Sequence, residues 1–157
     1  MAHRMIAVLA TAALGVSVLS GCASSFSSSS ACIDWVYFET PADAAESVDA
    51  VVIGSVVDQA GRTSYDDMPA TMWTVAVEDW QKGSGPDELI VTSLPRSCGD
   101  TVDSMAEYQD TSPLVFFLQE TESGWTAVTP FQGVVPAASD GTIPETWPDD
   151  LYETPGS

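Results

Sequence analysis

Hydrophobic and polar positions alternate along short segments of the chain, and turn residues separate these segments. Trp73, Val75 and Val77 alternate with smaller or polar side chains, which is the period of two of a half-buried strand. Segments rich in β-branched and aromatic residues predict four more strands, at residues 48–57, 88–94, 113–118 and 124–129. Five strands joined by short turns are typical of a small barrel or sandwich, so we predict a mainly β fold.

The segments around these strands carry three local signals. A short helix is predicted from residue 40. Thr40 can cap it, Pro41 suits its first position, and the negative charge of Asp43 is favourable near the helix N-terminus. Gly54, inside a β-rich segment, predicts a bulge or a sharp bend. Residues 58–69 are polar and include a glycine and a proline, so we expect a loop there.

The composition changes near residue 136. Residues 136–157 are rich in proline, glycine and aspartate, which predicts an irregular acidic C-terminal tail. Four side chains of this tail are candidates to pack on the β domain: Ile143, Trp147, Leu151 and Tyr152.

The N-terminus has the features of an export signal. Arg4 precedes an apolar stretch, residues 6–19, that is too short to span a bilayer comfortably and ends in small residues. The residues Leu19-Ser20-Gly21-Cys22 then resemble the bacterial lipobox, in which the cysteine thiol receives a diacylglycerol and becomes the new N-terminus. We therefore expect residues 1–21 to be a lipoprotein signal peptide and Cys22 to be the lipidation site.

The lipid on Cys22 predicts where the protein resides. Two acyl chains hold a protein stably at a bilayer, whereas one chain does so only marginally. The serine-rich residues 22–30 would form a flexible tether between the lipid and the folded domain. The expected location is the cell membrane, on its extracytoplasmic side, and the first expected partner is that membrane.

The charge of the chain limits its partners further. It has 23 acidic and four basic side chains, and removal of Arg4 with the signal leaves a side-chain charge of −20. Such a surface repels nucleic acid and anionic lipid, so no nucleic-acid partner is expected. Acidity also accompanies solubility or adaptation to salt, which we favour over calcium binding.

The chemical inventory argues against an enzyme. His3 is the only histidine and leaves with the signal, which excludes Ser-His-Asp, Cys-His and histidine-zinc sites in the mature chain. Two carboxylate pairs, Asp66-Asp67 and Asp149-Asp150, are candidates for a glycosidase dyad or a hard-cation site. Because both lie in predicted loops, we favour solvated acids, and we expect no catalytic residues, no metal and no cofactor.

Aromatic side chains are the remaining candidates for a binding surface. Small barrels of the OB type bind ligands on a strand face, often through exposed rings. Trp80, Trp125 and Trp147 are the candidate ligand-binding residues. The alternative is that these rings fill the barrel or cover its mouth, which we favour for Trp125 and leave open for Trp80.

Several segments, taken in order, resemble one family. After Cys32 come "SVDAVVIGSVV", "TMWTVAVEDWQKG", "DELIVTSLPRSCG" and "PLVFFLQ", an order similar to that of the netrin-like/TIMP-like (NTR) domain, over roughly residues 32–131. The resemblance implies a five-stranded OB-like β-barrel with a short N-terminal helix. It would occupy residues 31–135, followed by the acidic tail.

The resemblance also implies a disulfide between Cys32 and Cys98. Closing a loop of this length contributes roughly 4 kcal/mol through the unfolded state, and export places the thiols where oxidation is chemically reasonable. Eukaryotic TIMPs chelate a protease zinc through a free N-terminal cysteine. Cys32 lies ten residues after Cys22 and has no free α-amine, so that mechanism is not expected here.

These observations favour a lipid-anchored interaction module at the cell surface that binds a protein or an envelope polymer without catalysis. The alternative is an extracellular protease inhibitor that acts by surface occlusion, without zinc chelation, and it rests on the resemblance alone.

Intact-mass analysis provides a test of the disulfide. Alkylation of the native protein without reductant should leave Cys32 and Cys98 unmodified, because a disulfide has no thiolate to react. Alkylation after reduction, as a control, should label both. A label on either residue in the unreduced protein would contradict the pairing.

Overall fold

The computed structural model describes residues 33–96 and 103–151. The signal peptide, the tether, the lipidation site Cys22 and the predicted disulfide partners Cys32 and Cys98 lie outside the described residues. The described chain is mainly β, as the pattern predicts. Its elements are α1 Pro41–Ser47, β1 Ala50–Tyr65, β2 Met68–Lys82, β3 Glu88–Ser93, α2 Ser104–Glu107, β4 Leu114–Thr121, β5 Gly124–Ala127 and β6 Val134–Pro136.

The six strands form one sheet in the order β1-β2-β3-β5-β4-β6. An additional pairing between β1 and β4 closes five of them into a ring. Neighbouring strands are antiparallel except β3 and β5, which run parallel at Val91 and Trp125. β6 pairs with β4 at Leu114–Phe116, on the same edge where β5 pairs with the later residues of that strand.

Two hydrophobic clusters lie on the two faces of this sheet. The inner cluster fills the ring and includes Val52, Trp73, Val91 and Phe116. The outer cluster lies on the opposite face, where Phe117 meets α1 and the C-terminal segment. β4 is buried on both faces from Leu114 to Leu118, which explains its uninterrupted apolar sequence.

The C-terminal segment packs on the outer cluster rather than extending from the domain. Ile143, Trp147 and Leu151 all contact this cluster, as expected from their apolar character, and Tyr152 lies outside the described residues. Trp147 meets Phe117 edge to face, with ring centroids 5.6 Å apart. Burial of these side chains therefore holds an irregular, acidic segment against the sheet.

The prediction of a loop at residues 58–69 is wrong. They continue β1 and β2 as a long antiparallel hairpin, with Tyr65 opposite Met68. Its two-residue turn places Asp66 and Asp67 at φ 46° and 62°, and such a turn needs positive φ at both positions. The sequence pattern did not predict this part of the hairpin, because most of its side chains are exposed on both faces. Hydrophobic and polar residues therefore do not alternate along it.

Two short elements were also absent from the sequence prediction. α2 lies in the segment between β3 and β4, and its residue Met105 is fully buried in the inner cluster. β6 has only three residues. Both are too short to produce a recognisable period.

The N-terminus of α1 is capped by the residues that the sequence indicates. Thr40 and Asp43 form a reciprocal capping box, with Pro41 in the first turn. At the other end, the Lys82 ammonium donates hydrogen bonds to the carbonyl oxygens of Ala45 and Glu46, at 2.9 and 3.0 Å, and to that of Val48. A cation at the negative end of a helix stabilises it.

Gly54 lies at the irregularity that the sequence predicts. The register of β1 against β2 shifts between Ile53 and Gly54. A methyl group at Gly54 would overlap the carbonyl oxygen of Ala76, which belongs to the rigid backbone of β2. The glycine therefore permits the close approach of two strands at the bend.

Replacing Gly54 by alanine should lower the free energy of unfolding by about 2–3 kcal/mol, because the added methyl displaces a paired strand. Gly61→Ala is the matched control, since its methyl would meet only the flexible end of the Met72 side chain, at 3.0 Å. Urea unfolding of both variants measures the difference. Equal stabilities would contradict the close approach at Gly54.

Candidate functional site

A groove lies between the first described segment, residues 33–37, and the connection from β5 to β6. Its volume is about 250 Å³. We call it the aromatic groove; its lining residues are Ile33, Trp35, Val36, Tyr37, Thr129, Phe131 and Gln132. Apolar and aromatic side chains predominate, and the polar groups are the Tyr37 and Thr129 hydroxyls, the Gln132 amide and the Trp35 indole N–H. This is the usual character of a binding pocket.

Gln132 fixes one wall of the groove to the other. Its side chain is 1% exposed. The Phe38 amide donates to its Oε1 at 3.0 Å, and its Nε2 donates to the Phe38 carbonyl oxygen at 2.8 Å. The Trp147 indole donates to the same carbonyl oxygen at 2.9 Å. Phe38 belongs to no strand, and these three hydrogen bonds supply partners for its backbone N–H and C=O groups.

The residues before Phe38 present a more exposed surface. Val36 is 64% exposed and Tyr37 is 62% exposed, two of the most exposed large hydrophobic side chains in the described chain. Trp35 packs against Tyr65 at the end of the β1–β2 hairpin, with ring centroids 5.7 Å apart. The hairpin and the segment therefore support each other at the edge of the groove.

A buried cation lies beneath the groove. The Arg96 guanidinium is 5.0 Å from the centroid of the Phe131 ring, and it forms an ion pair with Glu107 at 3.6 Å. The side chain of Arg96 is only 7% exposed. Such a stacked guanidinium keeps the ring in place through a cation–π contact.

The same region contains Tyr108, at the C-terminal end of α2. Burial raises the pKa of Tyr108 above its ordinary value, and the negative charges of Asp150 and Glu107 raise it further, while Arg96 acts in the opposite direction. The phenol therefore stays protonated at neutral pH. Tyr108 also packs on the inner cluster, which gives it a structural role.

The structure brings together two of the three candidate tryptophans. The rings of Trp80 and Trp125 are 6.2 Å apart and tilted by 60°, and both pack on the inner cluster. Trp80 lies near the end of β2 and Trp125 near the start of β5, and both are half-buried. Trp147 lies apart from this pair, in the outer cluster, and its indole nitrogen is engaged with Phe38.

The carboxylate pairs lie on the surface. Asp66 and Asp67 occupy the hairpin turn, and Asp149 and Asp150 lie in the C-terminal segment; all four are exposed. Within residues 33–96 and 103–151, no group of three or more histidine, cysteine, aspartate or glutamate side chains is placed to hold a metal ion. In the same part of the chain, no helix has the length and apolar character needed to cross a membrane.

Comparisons with protein-family models, with curated proteins and with solved structures returned no match for this chain.

Sequence reasoning missed most of the aromatic groove. The run Trp35-Val36-Tyr37-Phe38 is a visible aromatic cluster, but it belongs to no predicted strand or helix. Gln132 and Phe131 lie far from it in sequence, and an isolated glutamine carries no local signal. Only the fold, which places residues 38 and 132 within hydrogen-bond distance, identifies them as neighbours.

Replacing Gln132 by leucine should lower the free energy of unfolding by about 2 kcal/mol, because the buried Phe38 amide loses its acceptor. Gln119→Leu is the matched control, since Gln119 is exposed on β4 and a surface change should cost less than about 0.5 kcal/mol. Thermal unfolding and hydrogen exchange at the Phe38 amide measure the two effects. Unchanged exchange at Phe38 in Gln132→Leu would contradict the clamp.

Proposed function

We propose that this protein is a lipid-anchored interaction module at the cell surface, which binds a protein or an envelope polymer and performs no catalysis. The observation that carries the proposal is the aromatic groove. It begins at Ile33, eleven residues after the lipobox cysteine, so a binding surface follows directly from the predicted anchor and tether.

The strand order supports a finer proposal about the fold. A ring in the order β1-β2-β3-β5-β4, with a parallel β3–β5 pair, is the arrangement expected of an OB-like barrel. α2 follows β3, and its buried Met105 packs on the inner cluster. These features are consistent with the TIMP/netrin-like domain that the sequence resembles, and we propose that class for residues 31–135.

The groove is built for binding rather than for chemistry. Its lining supplies one amide, two hydroxyls and one indole N–H, and the amide is already engaged with Phe38. Binding through such a surface depends on aromatic side chains that become buried in the complex, and it needs no reactive groups. Trp35, Tyr37 and Phe131 provide those anchors here.

The anchor and the partner are tested together in the producing cells. Cys22→Ser should release the protein from the membrane fraction or leave its precursor unprocessed, because no thiol remains for the lipid. Ser28→Ala, in the predicted tether, is the matched control and should stay in the membrane. Continued lipidation of Cys22→Ser would contradict the anchor.

Crosslinking in intact cells, followed by purification of the wild-type protein, should recover a defined protein or envelope polymer. Substrate turnover by the pure protein would contradict the absence of catalysis. Recovery of nothing beyond the background of a tagged, unrelated lipoprotein would contradict the binding role.

A further inference from the structure

The rim of the aromatic groove is acidic. Asp34 lies within the groove segment and Glu39 directly follows Phe38, and both are exposed. Asp66 and Asp67 follow Tyr65, the residue that packs on Trp35, and they are exposed as well. Arg62, three residues before Tyr65, is an exposed cation on the same hairpin. We call the four carboxylates the acidic rim, because they adjoin groove residues in the sequence or follow Tyr65 at the hairpin turn; one guanidinium stands against them.

The rest of the chain offers little positive charge to compensate. Apart from Arg4, the chain has three basic side chains. Lys82 is engaged by the carbonyl groups at the end of α1, and Arg96 is buried against Phe131 and Glu107. The field around the groove consequently attracts cations and repels anions.

The size and the polar groups of the groove narrow the choice of partner. Its volume of about 250 Å³ is below the range of roughly 300–1,000 Å³ for drug-sized ligands, which suits one or two anchoring side chains. A sugar would need several hydrogen-bonding side chains, whereas this lining is mainly apolar and aromatic. Both polar atoms of the Gln132 side-chain amide bond to Phe38, and the Thr129 hydroxyl oxygen accepts from the Gln132 backbone N–H.

One side chain in the groove wall offers a hydrogen-bond donor to a partner. The indole nitrogen of Trp35 is covered by neighbouring atoms and has no hydrogen-bond partner among the described residues. An unsatisfied buried donor costs about 1–3 kcal/mol. A peptide carbonyl that entered the groove beside Trp35 would supply the missing acceptor after a small ring movement.

We propose that the aromatic groove binds a basic, amphipathic polypeptide segment, in which one apolar or aromatic side chain enters the groove and flanking Lys or Arg side chains meet the acidic rim. This inference rests on the proposed function and narrows its partner to a basic protein segment. Lys and Arg can also stack on the faces of Trp35 and Tyr37. The aromatic contact provides affinity, and the acidic field accelerates association.

The binding test uses the lipidated mature protein in phosphatidylcholine nanodiscs. The probe is a synthetic dodecapeptide with lysines on both sides of a single phenylalanine. Two matched peptides replace the phenylalanine by serine or the lysines by glutamate. The parent peptide should bind more tightly than either, and its affinity should fall as the salt concentration rises.

The protein variants separate the groove from general attraction to an acidic surface. Val36→Ser combined with Tyr37→Ser should weaken binding of the parent peptide about tenfold or more, as expected for anchor residues. Val57→Ser is the control, because Val57 is 54% exposed on β1 and is not part of the groove lining. It should bind like the wild type. Amide chemical-shift changes should map to residues 33–37 and to Thr129, Phe131 and Gln132.

The outcomes that overturn the inference are specific. Equal loss of binding in the groove variant and in Val57→Ser, or no loss in either, would mean that charge alone attracts the peptide. Tight binding of neutral, soluble cell-wall fragments that depends on Val36 and Tyr37 would assign the groove to a glycan. A crosslinked partner whose recovery survives the groove substitutions would overturn this inference and leave the proposed function intact.

Discussion

The pairing of β1 with β4 is the constraint on which the rest of the described structure depends. Residues 50–54 pair with residues 114–118, and this contact turns an open sheet into a ring. All ten residues are buried, so their side chains divide between the inner and the outer cluster. Full burial of one Val, Leu or Phe side chain contributes roughly 1.5–3 kcal/mol, more than the roughly 0.5–1.5 kcal/mol net of a hydrogen bond. Hydrophobic burial on both faces therefore stabilises the closure.

Ring closure also creates the surface on which the aromatic groove forms. The outer face of β1, β4 and β6 is apolar and needs a cover, which α1 and the C-terminal segment provide. Trp147 belongs to this cover and reaches Phe38, where Gln132 also binds. The acidic C-terminal segment thus has a structural role in positioning residues 33–37. Its charge faces solvent while its few apolar side chains hold it in place.

The elements of the fold that could be predicted are those whose sequence signal spans only a few neighbouring residues. The five strands of the ring, the bulge at Gly54 and the capping box of Thr40 and Asp43 follow from patterns spanning a few residues. The outer part of the β1–β2 hairpin did not follow, because its exposed faces remove the alternation and its Asp66-Asp67 turn lacks the usual glycine. Trp147 was predicted as a candidate ligand contact, and only the fold shows that its indole donates a hydrogen bond to the Phe38 carbonyl oxygen.

The sequence by itself determined the β-rich character, the positions of the ring strands and the strong negative charge, because each depends on neighbouring residues or on composition. Only the tertiary structure decided which strands close the ring and which side chains line the groove. The reason is distance along the chain: Phe38 and Gln132 are 94 positions apart, and only the folded domain brings them within hydrogen-bond distance. Local patterns specify which face of a strand is buried, whereas the packing of the whole domain specifies what buries it.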